Sequence, residues 1–145
     1  MNDEHVEVSV IMGVGWTDKQ LAKEANNYIL ESSQQHPNRL VPFCSVNPAW
    51  GIKAVAEVER CAEAGAIGIG ELHPDTQGFD LGDSNVMTPL VEVAIRLGMP
   101  ILTHASEPVG HLYPGKGYTT PEVLCRFIDN FPDATLICDH WGGGL

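Results

Sequence analysis

The sequence predicts an α/β fold of five consecutive parallel βα units, and three observations carry that prediction. Short apolar, β-branched segments recur five times between stretches of helical periodicity, at a spacing of ~30 residues that suits crossover units. The strand segments are apolar on both parities, as in Val10-Ile11-Met12, which fits a sheet covered on both faces. Nearly every strand also begins bland and ends polar, at Asn47, at Glu71 and His73, at His104 and at His140. A parallel sheet gathers those ends on one face, where barrels and open α/β folds alike place their sites.

The first strand is read over Val6 to Val14, stopping at Gly15-Trp16. Thr17-Asp18-Lys19-Gln20 matches a capping box, and Leu21, Ala25, Tyr28 and Ile29 follow at helical spacing as far as about Gln35, where His36-Pro37 ends the helix. Leu40 to Val46 is the second strand. A helix over Ile52 to Ala64 presents Ile52, Val55, Val58 and Ala62, with Gly65 as a left-handed cap. Ala66 to Leu72 is the third strand. Thr88-Pro89 reads as a helix start, with Leu90, Val93, Ala94 and Leu97 leading to Gly98. Pro100 to Thr103 is the fourth strand. Thr120-Pro121 opens a helix whose Leu124, Phe127, Ile128 and Phe131 point inward, and Ala134 to Asp139 is the fifth strand, followed by His140 and a glycine run.

With 145 residues the chain is one domain's worth of sequence. Its net charge of −11, from 8 Lys and Arg against 19 Asp and Glu, argues against a nucleic-acid partner, because phosphate binding needs clustered basic groups. No apolar run reaches the ~18 residues of a membrane span and no leader is evident. The four cysteines, Cys44, Cys61, Cys125 and Cys138, form no C-x-x-C pair and suit reduced thiols in the cytoplasm.

The chemistry concentrates around the segment Met99 to Thr120. His104 stands where the fourth strand gives way to a loop of about sixteen residues, well beyond an ordinary βα connection of ~2–6. Glu107, His111, Tyr113 and Lys116 sit in that loop among glycines and prolines, as the rim of a site with His104 at its floor. Two imidazoles with a carboxylate, delivered from separate strand ends, suit a zinc-like or manganese-like ion. His104, His140, His73 and Glu71 are the residues so delivered. Strand parity puts His140 on the face of Cys138 and Leu136 and turns Asp139 the other way, outward or behind the site. His5 and His36 belong to the surface. Gly13-x-Gly15 and Gly68-x-Gly70 lack the third glycine of a dinucleotide fingerprint, and Ser106 has no nucleophile-elbow context.

Taken together, Leu72-His73-Pro74, Gln77-Gly78-Phe79-Asp80, Pro100 to His104, Phe131-Pro132-Asp133 and Asp139 to Gly144 resemble the amidohydrolase-related branch of the metal-dependent hydrolases, which includes the aminocarboxymuconate semialdehyde decarboxylase-like enzymes. The resemblance implies an eight-stranded (β/α) TIM barrel, of which this chain matches barrel strands two to six, and a divalent metal, zinc or manganese, at the C-terminal face. It implies His104 as a metal ligand and His140 as the acid, base or orienting group beside the ion. Glu71 falls on the strand where other branches carry a metal-bridging residue and is taken as a second ligand. His73, His111 and Lys116 are then candidates for binding the substrate, a small molecule with a carbonyl or carboxylate group. The first-strand His-x-His pair and eighth-strand aspartate of relatives have no counterpart here, and a typical barrel takes about 250 residues. The expectation is therefore a piece of a barrel holding about half of the metal shell, with open edges that favour self-association. A complete flavodoxin-like sheet, serving as a binding or signalling module, is the rival reading, as is an inactive truncation. Sequential strand order would mean an opened barrel, and a reversal after the first strand the open sheet.

Overall fold

In a computed structural model, which describes residues 1–107, 109–111, 113 and 116–144, the strands lie in the order of the sequence. They are β1 (Ser9–Ile11), β2 (Leu40–Cys44), β3 (Gly68–Leu72), β4 (Ile101–Thr103) and β5 (Leu136–Cys138), each parallel to its neighbours. Registers run Ser9 to Leu40, Phe43 to Gly68, Ile69 to Ile101 and Ile101 to Leu136. No reversal occurs, so this is a partial (β/α) barrel and not a doubly wound sheet. Pro108, Leu112, Pro114 and Gly115 of the long loop lie outside the described residues.

The helices connecting these strands are α1 (Lys19–Gln35), α2 (Ile52–Glu63), a single turn α3 (Pro74–Gln77), α4 (Ser84–Leu97) and α5 (Pro121–Asn130). None of them is long and apolar enough to cross a membrane. Several starts and faces differ from the sequence reading. The cap of α1 is Asp18, not Thr17: its Oδ1 accepts from Gln20 N at 2.8 Å and Leu21 N at 2.9 Å, while the Gln20 amide turns to Glu24. A carboxylate accepts two amides more strongly than a hydroxyl, so the cap moves one residue on. The start of α4 moves further, to Ser84, because the Asp83 carboxylate caps Asn85 N at 2.9 Å and leaves Pro89 inside the helix. The turn α3 has no apolar repeat to announce it.

The helix faces are likewise rotated. On α1 the buried residues are Ala22, Asn26, Ile29, Leu30 and Ser33, whereas Leu21 and Tyr28 are exposed. Ile52 on α2 and Ile128 on α5 also face outward. A core of Val46, Val58, Ile69, Leu72, Leu90, Ile101 and Phe127 fills the space between sheet and helices, each such side chain contributing about 1.5–3 kcal/mol through burial. Burial fails at the margin. Val8, Val10 and Val14 are exposed because, among the described residues, β1 pairs with β2 alone.

Candidate metal centre

Three adjacent strand ends bring their polar residues to one place. His104 follows β4, and its amide is carried across to Leu72 O at 2.7 Å. Its Nδ1 lies 3.0 Å from Glu71 Oε1 and 3.9 Å from Asp139 Oδ2. His140 closes the group, with Nε2 3.4 Å from Asp139 Oδ2. One ligand atom from each of Glu71, His104, Asp139 and His140 can be chosen so that all lie within 4.8 Å of one another.

Glu71 reaches this point through an irregularity. Between the pairs Ile69–Ile101 and Leu72–Thr103 the strand β3 advances three residues while β4 advances two, a bulge of one residue. Gly70 occupies it with φ +149°, and a Cβ there would stand 2.7 Å from Leu102 O. Asp139 is brought in by the end of β5. Its Oδ1 accepts the Ala105 amide at 2.8 Å, turning Oδ2 toward the imidazoles. This corrects the outward placement of Asp139: alternation holds only within a strand, and β5 ends at Cys138. From His140 the backbone is left-handed through Trp141, Gly142 and Gly143, at φ 46°, 57°, 65° and 100°. Holding His140 and Trp141 in this region costs about 1–2 kcal/mol each, a local cost often found where a side chain must be aimed.

The electrostatics follow from crowding. The hydrogen bond from His104 holds the Glu71 carboxyl below the usual range, against the opposing effect of burial. Glu71 in turn raises His104, again against burial. Burial first, and then the hydrogen bond to Glu71, push the Asp139 carboxyl above its ordinary range. His73 stacks on His104 with ring centroids 4.2 Å apart, and His140 meets the same ring edge-on at 4.7 Å. Burial and the nearby His104 hold His73 low, in its neutral form. Its Nδ1 accepts from Thr76 N at 3.3 Å, which leaves the proton on Nε2.

The other two predicted residues stay apart. The His111 ring lies 6.0 Å from that of Tyr113, and Lys116 Nζ donates to Val109 O at 2.8 Å with Glu107 3.6 Å away. Both side chains are engaged with their own loop. The neck of that loop is nevertheless fixed to the site's rim, since Asp75 Oδ2 accepts the Tyr118 amide at 2.8 Å and Ser106 N donates to Thr119 O.

The donor set fits a divalent ion. Two carboxylates and two imidazoles suit zinc or manganese, both of which take oxygen and imidazole nitrogen donors. Side-chain exposures are 16% for His104, 25% for Glu71 and 21% for Asp139, against 60% for His140.

Comparison with known proteins agrees with the fold. No curated protein sequence matches the chain. Among solved structures, 5-carboxyvanillate decarboxylase from Sphingomonas paucimobilis superposes with a TM-score of 0.74 at 19% identity, over 98% of this chain and 50% of that one. The Novosphingobium aromaticivorans 5-carboxyvanillate decarboxylase, complexed with manganese and 4-hydroxy-3-methoxy-5-nitrobenzoic acid, gives 0.71 at 21%, over 94% and 46%. 4-Oxalomesaconate hydratase from Rhodopseudomonas palustris gives 0.73 at 18%, over 99% and 47%. The chain thus spans about half the length of the solved structures it matches. At these identities the likeness is one of fold. Sequence adds the rest: the family model described as amidohydrolase matches residues 5–145, so that from its first strand to the glycines after His140 the chain belongs to the amidohydrolase family.

Proposed function

We propose that this chain forms the metal-holding part of a divalent-metal-dependent enzyme that hydrolyses a small carbonyl-containing substrate. The observation that carries the reading is the convergence of Glu71, His104, Asp139 and His140 from three neighbouring strand ends. Glu71, His104 and Asp139 would hold zinc or manganese, which when bound supplies a Lewis acid. His140, the most exposed of the four, carries protons between the site and solvent. His73 presents its Nε2 proton as a hydrogen-bond donor to a substrate oxygen. His111 and Lys116 would meet a substrate carboxylate from the loop, Lys116 exchanging its contact with Val109 O for the anion.

Decarboxylation of a small unsaturated or aromatic acid is a second reading. It is favoured by the activities in the names of the neighbours, decarboxylases and a hydratase. The four cysteines, none in a disulfide, suit action in the cytoplasm. Association of copies through the margins at β1 and β5 belongs to the same reading, and a sharp monomer in size-exclusion chromatography would remove it.

The deciding experiment loads the metal-depleted chain with zinc or manganese and presents esters, lactones and amides beside aromatic and unsaturated acids, following acid release and carbon dioxide separately. Metal-dependent turnover lost in His104→Ala is expected. Failure of the chain to retain either metal, or retention unaffected by His104→Ala, would sink the reading.

A further inference from the structure

A buried hydroxyl lies behind the candidate metal centre. Ser45, immediately after β2, is fully buried, and its flanking residues Cys44 and Val46 are core apolar groups. Its backbone is already satisfied by one amide side chain from α1: Ser45 N donates to Asn26 Oδ1 at 2.8 Å, and Asn26 Nδ2 donates to Ser45 O at 3.1 Å. Asn26 Nδ2 also donates to Glu57 Oε1 at 2.9 Å, and Arg60 grips that carboxylate from the far side. The Ser45 hydroxyl is left to point across the sheet, where it donates to Gly70 O at 2.8 Å. Gly13 makes room for it, since a Cβ there would come within 2.7 Å of Ser45 Oγ.

Gly70 O is the carbonyl that the bulge in β3 displaces. The last β2–β3 pair is Cys44 with Ile69, and the β3–β4 ladder skips to Leu72. The same peptide unit carries the amide of Glu71, which donates to Gly13 O at a long 3.3 Å. Whatever fixes that peptide fixes the stem of the Glu71 side chain. We propose that Ser45 is a positioning residue for Glu71: by holding the carbonyl freed by the bulge, its hydroxyl aims the carboxylate at the place where an ion would sit. This rests on the metal-centre reading above, and it makes metal affinity depend on a residue that touches no ligand side chain.

The test is a double-mutant cycle read as metal affinity. The metal-depleted chain and its Ser45→Ala, Glu71→Gln and double variants are titrated with zinc, and separately with manganese, against a chromophoric chelator, while circular dichroism melts report folding. Ser45→Ala is expected to weaken binding roughly tenfold, the usual scale for an outer partner of a ligand. Glu71→Gln should weaken it further, and adding Ser45→Ala to Glu71→Gln should change nothing more. Should Ser45→Ala not fold, Ser45→Cys, whose thiol is a weaker donor of similar size, takes its place with a smaller loss expected. Unchanged affinity in Ser45→Ala, or a loss that persists undiminished in the Glu71→Gln background, overturns the positioning role while leaving the metal centre intact. If Glu71→Gln and His104→Ala both bind as the parent does, the metal-centre reading fails and the role of Ser45 falls with it.

Discussion

The two ends of this parallel sheet are built from different kinds of polar contact. At the N-terminal ends of the strands the polar groups are exposed. Arg96 pairs with Glu59 at 2.6 Å while both remain about half exposed, and Arg39 clips the leading turn through Glu7 O, Val6 O and Asn2. At the C-terminal ends they are buried: Ser45, Asn47, Gln77, Thr103 and Ser106 are all at or below 6% exposure, and Ser45, Asn47 and Gln77 tie neighbouring strand ends together through their side chains. Bonds made in water replace bonds to water and contribute little, whereas a buried donor left without a partner costs about 1–3 kcal/mol. One end is a surface that tolerates change. The other is a frame that holds side chains in position, and substitutions should separate the two.

The largest effect is expected at Gln77. Its Nε2 donates to Trp16 O and Val46 O, both at 3.0 Å, and its Oε1 accepts the His73 amide at 2.9 Å, so one side chain joins the loops after β1, β2 and β3. Gln77→Ala orphans three backbone groups at once, the buried Val46 carbonyl and the part-buried Trp16 carbonyl and His73 amide. A loss of about 3 kcal/mol in urea unfolding is expected, and a loss under about 1 kcal/mol would show that the frame relaxes onto water. Gly143→Ala should follow, at about 2 kcal/mol, because its φ of +100° disfavours a side chain and a Cβ would stand 2.7 Å from Ser106 O.

Much of this frame was legible in the sequence, and its gaps have physical causes. Five parallel strands, the gathering of Glu71, His73, His104 and His140 at their ends, and Thr120-Pro121 as the start of α5 all follow from alternation of apolar periods and from proline's fixed backbone. What was not legible depends on contacts distant in the chain. Asp139 enters the site because Ala105 N draws its carboxylate inward, Gln77 finds its partners on loops more than thirty residues away, and the bulge at Gly70 exists only relative to β4. Leu21, Tyr28 and Ile52 fit a helical stripe yet lie exposed, since periodicity fixes a face and not which neighbour covers it. A glycine preceding an acidic residue at a strand's end was the one local sign of the bulge.

A smaller effect should come from pH, in the metal-free chain. Glu71 is held low by His104, so its contribution is present above the ordinary carboxylate range and is lost as pH falls through its folded value. His104 is held high by Glu71, so its contribution is complete below the ordinary imidazole range and is lost as pH rises through its folded value. His73, held low, opposes folding once acid forces a proton onto it. The pair therefore stabilises most in the interval between the two ordinary ranges. The stability difference between the parent and Glu71→Gln should shrink on going from about pH 6 to about pH 8.5. A difference that grows over this interval would mean that His104 is not protonated against Glu71.

The smallest effect is expected at the opposite end. Glu59→Gln removes one member of the pair with Arg96, whose side chains are 44% and 56% exposed. Water already solvates both charges and holding two long side chains together costs entropy, so the change should be within about 0.5 kcal/mol and should fade in 1 M salt. The measurement is the same urea unfolding used for Gln77→Ala, which makes the two values directly comparable. A cost above about 1 kcal/mol for Glu59→Gln would mean that the exposed end also carries structural weight. The contrast between a tolerant surface and a positioning frame would then have to give way to a sheet held equally from both sides.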